Sequence, residues 1–255
     1  MSEKKVYTAN EIEEVKDEIN LQVVLQELKK NIEEQLKKCG LYYRLFSRVK
    51  DSESLAQKLN SGEYGDGDTD KKVQDLLGIR VVLYYSDDLT PCRYILEKTF
   101  NRNGQWSQNA MTVNEFQATK INGVFEIPQK LLEMIDEHIW KLPVDATFEV
   151  QLRTVLFEGW HEIEHDMRYK DIKNHKKNLW DDNEDLARTM NSILASLELC
   201  DWSLSNLFQS LARKHKERKN WELMLRSRYR LRLEDKPLNP QVKEYLNQHD
   251  QLGWD

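Results

Sequence analysis

Residues 148–170 read FEVQLRTVLFEGWHEIEHDMRYK, and the period of that stretch changes halfway along. In the first half Phe148, Val150 and Leu152 fall on one side of an extended chain and Glu149, Gln151 and Arg153 on the other. Successive same-side residues of a strand stand roughly 7 Å apart, so a carboxylate, an amide and a guanidinium line one face. From Thr154 onward Val155, Leu156, Trp160 and Ile163 follow a helical spacing, and the segment reads as a strand feeding a helix. That helix also carries His161, Glu162 and His165. They spell the H-E-x-x-H of zinc metalloproteases, whose histidines share a helical face and whose glutamate acts as base.

Around this stretch, 255 residues suit one domain with an extension or two small domains. Charged residues make up 32%, and no apolar run approaches the roughly 18 residues that cross a bilayer. The opening Met-Ser-Glu-Lys-Lys lacks the apolar core of a secretory signal. The expectation is a soluble, cytoplasmic protein with no membrane association. Cys39, Cys92 and Cys200 are far apart and in no metal-type spacing, which predicts buried, reduced thiols. A net charge of −6 argues against indiscriminate nucleic-acid binding and leaves room for a local basic patch.

Residues 8–41 read as one helix that opens on the capping box Thr8-Ala-Asn-Glu11 and ends near Gly40. A second helix is expected over 54–59. The Gly- and Asp-rich run 61–70 is a loop. LLGIRVVLYY, residues 76–85, is apolar and β-branched enough for a buried strand, with Arg80 its conspicuous polar member. A helix over 91–100 returns the chain, 101–109 looks like a loop, 125–127 a short strand and 129–140 a helix after Pro128. Beyond 170 the pattern is helical, with 186–211 one long amphipathic candidate and a basic tail after it. The division expected is residues 1–175 as the main domain and 176–255 as a helical extension.

The polar residues cluster beside these strands. Arg48, Lys50, Ser54 and Lys58 are donors that could neutralise a polyphosphate. Asp75 precedes the apolar strand and Glu149 lies on the later one. Two carboxylates at neighbouring strands suit Mg²⁺, which takes one or two carboxylates together with phosphate oxygens.

The order of these motifs resembles the synthetase domain of RelA/SpoT homologues. The resemblance rests on Arg48-Val-Lys50 with Ser54 and Lys58, then Asp75-Leu-Leu-Gly78-Ile-Arg80, then Glu149-Val-Gln151-Leu-Arg153-Thr154, then Trp160 and Glu164-His165 with Tyr169-Lys170. It spans about residues 42–170 and is closest to small alarmone synthetases and related toxins, with no hydrolase domain before it and no long regulatory region after it. It implies an α/β (α+β), nucleotidyltransferase-like fold, with a mixed central sheet of about five strands flanked by helices. It also makes His161 an accidental completion of the zinc signature, because the family's helix carries a Trp, then a small residue, and later Glu-His. The activity implied is transfer of the β,γ-pyrophosphate of ATP to a ribose 3′-hydroxyl, most simply that of GDP or GTP. By motif, Arg48 packs on adenine and Lys50, Ser54 and Lys58 hold the ATP phosphates, with Arg80 supporting the charge. Asp75 and Glu149 take Mg²⁺, Glu149 doubling as base, while Gln151 and Arg153 fix the acceptor. His165 either contacts phosphate or packs the helix on the sheet.

One departure stands out. The family's acceptor loop reads close to Asn-Gly-Tyr-Arg-Ser-Leu-His, with a tyrosine that stacks on guanine. Here the nearest match is Lys120-Ile-Asn122-Gly123-Val124-Phe125-Glu126-Ile127-Pro128, so Lys120 and Asn122 remain as acceptor candidates and Val124 stands where the ring belongs. Phe116 or Phe125 could supply a ring from another direction. Two alternatives therefore accompany alarmone synthesis. One is a toxin-type enzyme modifying the 3′ end of tRNA, held through Arg213, Lys214, Lys216, Arg218, Lys219, Arg226, Arg228, Arg230 and Arg232. The other is a nucleotide-binding module that has lost catalysis. The apolar stripe Leu186, Met190, Ile193, Leu194, Leu197, Leu204 and Leu207 either covers the sheet or joins subunits into a homo-oligomer. An antitoxin partner is compatible with the toxin reading.

Overall fold

A computed structural model describes residues 6–65, 71–108, 121–169, 184–232 and 236–249 of the chain. The N-terminal helix expected as one piece is two, α1 (Ala9–Val15) and α2 (Glu18–Lys38). Thr8 and Glu11 form the expected capping box. The break comes from Asp17, which caps α2 by accepting from the Asn20 N–H, and from Lys16, whose buried ammonium donates to the Lys50 carbonyl at 2.7 Å. Strand β1 (Tyr43–Val49), helix α3 (Ser52–Asn60), strand β2 (Leu77–Leu83) and helix α4 (Leu89–Thr99) follow.

The segment read as a loop after α4 is a strand, β3 (Arg102–Gln108), pairing with β4 (Ile121–Glu126). Its sequence RNGQWSQ hides it, since an edge strand bonded on one side needs no alternating apolar face. The helix expected over 129–140 is one short turn, α5 (Gln129–Leu132), followed by a 3₁₀ turn that Asp136 caps through the His138 N–H. Strand β5 (Thr147–Thr154) runs into α6 (Val155–Tyr169) as the change of period predicts. The C-terminal part holds α7 (Glu184–Glu217), α8 (Trp221–Tyr229) and α9 (Pro240–Gln248).

The five strands form one mixed sheet in the order β1-β2-β5-β4-β3, with β2 and β5 parallel and the other neighbours antiparallel. One face carries Ile79, Val81, Phe148, Val150, Leu152 and Phe125, all buried in one core with the leucines of α2 and with Phe100 at the end of α4. Side chains alternate along strands, so the opposite face presents Arg48, Gly78, Glu149 and Val124 as one row of register partners. Phe46, Arg80, Gln151 and Asn122 form the next row. Burial of the first face fixes which residues the second displays, because a one-residue slip would exchange the two sets.

Trp160 packs with Phe157 and with Leu194, Met190 and Leu197 of α7. The tryptophan thus joins the helical extension, and the apolar stripe of α7 is partly used in covering α6. Ile193, Leu204 and Leu207 stay exposed. The chain then returns to the sheet: the Arg232 N–H donates to the Gly40 carbonyl at 2.7 Å, and buried Arg230 donates to Asp87 at 2.7 Å with its guanidinium over Tyr85. Arg230 is therefore a fastener and not part of an exposed basic patch. Cys92 is buried, but Cys39 at the end of α2 and Cys200 on the open side of α7 are exposed, against the expectation of three buried thiols. Among the described residues no helix is long and apolar enough to cross a membrane.

Candidate active site

Two hollows open on the polar face of the sheet. The larger, 470 Å³, is lined by Phe46 and Arg48 of β1, Gly78 and Arg80 of β2, and Gln151 of β5, with Glu158 and Glu162 of α6 closing one side. The smaller, 130 Å³, is lined by Lys58, Tyr64, Lys71, Lys72, Gln74 and Val124. Asp75 and Glu149 line both. In the row of register partners Gly78 stands on one side of Glu149 and Val124 on the other, so the carboxylates mark the boundary between the two spaces.

Each carboxylate is held by a different chemistry. Asp75 accepts from the Lys50 ammonium at 3.0 Å and the Lys58 ammonium at 2.8 Å. Lys50 is itself pinned through its backbone, its N–H donating to the Leu76 carbonyl and its carbonyl accepting from Lys16. Burial pushes the Asp75 carboxyl up, but the two lysines more than offset this and hold it below the usual carboxylate range. Desolvation likewise opposes the Lys58 charge, and Asp75 beside it raises that ammonium above its ordinary value.

Glu149 is held by amides: Gln151 Nε2 donates to one oxygen at 2.7 Å and Asn122 Nδ2 to the other at 3.2 Å. Asn122 Oδ1 accepts from Arg153 Nη2 at 3.0 Å. A guanidinium only donates and an ionised carboxylate only accepts, so Asn122 can bridge the two in one orientation alone. Arg153 is 3% exposed and also donates to the Leu152 and Ile121 carbonyls. Burial, then the nearby Arg80 charge, pushes it down to about 10. It lines neither hollow. Its place in this structure is behind Asn122 rather than against an acceptor.

Arg80 donates to Gln151 Oε1 at 3.2 Å and to Glu158 Oε1 at 2.6 Å, and pairs with Glu162. Burial disfavours its charge, and the two glutamates overcome this and raise it. Glu162 is thus occupied by an arginine, which removes it from the part a metalloprotease base would play. Among the described residues no group of three or more His, Cys, Asp or Glu could hold a metal ion. The sequence offers Glu162 only as the base of the zinc signature and gives Glu158 no role; sequence reasoning missed their pairing with Arg80, although their i, i+4 spacing on the helix after β5 puts both on the side facing β2. It also missed Phe46, an exposed ring in the larger hollow, which the Arg44/Phe46/Arg48 alternation could have revealed.

The expected ligands for Mg²⁺ fit a partial site. Asp75 and Glu149 border the same two hollows, and a carboxylate held ionised by lysines is ready for a cation that completes its sphere with phosphate oxygens. Of the other expected residues, Ser54 lines neither hollow and gives its N–H to the Asp51 cap. Phe125 is wholly buried in the core and so cannot serve as the missing ring. Lys120, Phe116 and the His165 side chain lie outside the described residues.

The same fold recurs in solved structures. Small alarmone synthetase 1 from Bacillus subtilis superposes with a TM-score of 0.55 at 18% identity, covering 74% of this chain and 92% of that one. Small alarmone synthetase 2 from the same organism gives 0.54 at 16%, covering 79% and 97%. A GTP pyrophosphokinase family protein from Streptococcus pneumoniae gives 0.50 at 16%, covering 81% and 93%. No curated protein sequence matches this one. The family profile of the region found in RelA/SpoT proteins, however, matches residues 47–174, just over half of the chain. That span begins in the strand bearing Arg48 and runs past the helix bearing Glu158 and Glu162, so it takes in both carboxylates and every residue lining the two hollows except Phe46, and the chain belongs to the RelA/SpoT family.

Proposed function

We propose that the protein transfers the β,γ-pyrophosphoryl group of ATP to the 3′-hydroxyl of a purine ribonucleotide, with GDP or GTP as acceptor. What carries this reading is the pair of hollows sharing only Asp75 and Glu149. An in-line displacement at phosphorus needs the attacking and leaving oxygens on opposite sides of it. A donor nucleotide in the larger hollow and an acceptor in the smaller one meet that need at the carboxylate boundary.

The residues divide the work. In the larger hollow Arg48 and Phe46 offer flat groups to adenine, and Arg80 brings a charge held in place by Glu158 and Glu162. Lys50 and Lys58 bring two ammonium groups to the boundary, where they offset negative charge on the phosphates. Glu149, fixed at both oxygens by amides, takes the proton of the 3′-hydroxyl as that oxygen bonds to the β-phosphorus. The bond from the β-phosphorus to the oxygen shared with the α-phosphate breaks, and AMP leaves with that oxygen. Mg²⁺ held by Asp75 and Glu149 would neutralise phosphate oxygens when bound.

A second source of acceptor, an RNA 3′ end, is favoured by Arg213, Lys214, Arg218 and Lys219, all exposed around the C-terminal end of α7. The test supplies ATP labelled at the γ-phosphate with GDP, GTP, ATP and bulk tRNA in turn and follows the label. The expected product is labelled GDP or GTP, with transfer falling about 10³-fold in Glu149→Gln, in the range of a lost general base. Label on tRNA alone moves the acceptor to RNA, and label on nothing overturns the transferase reading.

A further inference from the structure

The structure assigns the acceptor's base to Tyr64, an aromatic residue on the loop after α3. This rests on the pyrophosphotransferase reading above and names the platform that Val124 does not provide. Among the described residues lining the smaller hollow, Tyr64 is the sole aromatic, and it lines that hollow together with Val124 and Glu149. A purine ribonucleotide with a free 3′-hydroxyl fits this arrangement, its sugar at Glu149, its base on the Tyr64 ring and its phosphate side toward Lys71 and Lys72.

The ring is held by its surroundings. Gly62 and Gly65, at φ 85° and 67°, take left-handed conformations on either side of it. The Gly65 N–H donates to the Lys71 carbonyl at 3.1 Å and closes the neck of the loop. A Cβ at Gly65 would stand 2.9 Å from Cγ of Pro143, so the backbone seats directly on that proline. Pro143 in turn accepts from the Val73 N–H at 2.8 Å, tying the seat to the segment that leads into Asp75.

The ring's π-system is already in use by cations. Lys58 Nζ lies 5.1 Å and Lys71 Nζ 4.7 Å from its centre. Lys58 is fixed by Asp75. Among the described residues Lys71 has one ion pair, at 3.4 Å with Glu63, with both side chains more than half exposed. An exposed pair of this kind costs little to part, so Lys71 can yield the ring to a base and remain near as a counter-charge for phosphate.

The test measures equilibrium binding of GDP, and separately of tRNA ending in adenosine, to protein saturated with α,β-methylene-ATP, whose α–β link cannot be transferred. Tyr64→Ala is expected to weaken whichever acceptor the wild type binds about tenfold or more, the fold-change that loss of one base-stacking contact brings. Tyr64→Phe restores most of the affinity, and binding of α,β-methylene-ATP alone stays within twofold, which also reports an intact fold. Acceptor affinity unchanged in Tyr64→Ala, equal losses for both ligands, or no binding of either acceptor to the wild type overturns the assignment. Release of AMP from ATP by the wild type that depends on added GDP or tRNA judges the transferase reading independently. Failure of the Tyr64 assignment alone leaves that release in place, and failure of the transferase reading abolishes it.

Discussion

The two hollows that meet at Asp75 and Glu149 are built from different materials. The larger is framed by β1, β2, β5 and α6, and its Arg80 is paired within it to Glu158 and Glu162. The smaller takes most of its lining, from Tyr64 to Asp75, from outside the helices and strands, with Lys58 of α3, Val124 of β4 and Glu149 of β5 completing it, and its lysines are exposed or held by one carboxylate. Regular elements fix side chains through backbone geometry, whereas a loop does so only through local devices such as Gly65 on Pro143. Under the proposed function the donor side is therefore preorganised by the sheet, and the acceptor side is the part free to vary.

That contrast makes the chain from Arg153 through Asn122 to Glu149 the sharpest place to intervene, since it joins a buried strand residue to the boundary carboxylate. Arg153→Met frees the Asn122 amide to rotate and takes a fixed donor from Glu149. Loss of a partner that orients a reacting group typically lowers activity about 10- to 100-fold. The expected result is a fall of that size in kcat with the KM for ATP within twofold. A rise in the ATP KM with kcat unchanged would place Arg153 in the donor hollow instead.

The same contrast explains what was legible in the sequence. The alternation of β5 puts Glu149 and Gln151 on one face in the sequence itself, while Arg80 reads only as the polar member of an apolar run and joins that face through the pairing of β2 with β5. The sheet order, the extent of β4 and the presence of β3 were not legible, because RNGQWSQ lacks an apolar period and its pairing is decided by a distant strand. Arg153 reads as an exposed ligand by alternation, yet it is buried and donates to Ile121 and Asn122 of the neighbouring strand β4. Tyr64 carries no periodic signal at all. It sits in a Gly-rich loop, where position depends on tertiary contacts such as Pro143.

The boundary also sets an acid limit on stability. Asp75 is held below its ordinary carboxylate range by Lys58 and Lys50, against the opposing effect of burial. A depressed folded-state value means the contribution is complete above the unfolded value of about 3.9 and is lost as pH falls through the folded one. Asp75→Asn should therefore lower the free energy of unfolding by about 1–2 kcal/mol at pH 6. The gap should narrow steadily below about pH 4, as the wild-type carboxyl takes up its proton. Urea unfolding of both proteins from pH 7 down to pH 3 measures it, and a gap that persists at pH 3 would mean that shape rather than charge holds Asp75 in place.

The smallest expected effect tests the acceptor side by adding to it. Val124 stands opposite Glu149 on the polar face and is only partly buried, so a larger side chain there extends into the smaller hollow instead of the core. Val124→Tyr places a second flat ring across the hollow from Tyr64. If the acceptor half is the variable half, the new ring should lower the KM for GDP about fivefold, the low end of a base-stacking contact, and leave the KM for ATP as it was. A ring that instead raises both values would mean that the two hollows are not independent at Val124. The valine would then be a spacing residue that keeps room for the transferring phosphates, and the acceptor's recognition would rest on Tyr64 and the lysines alone.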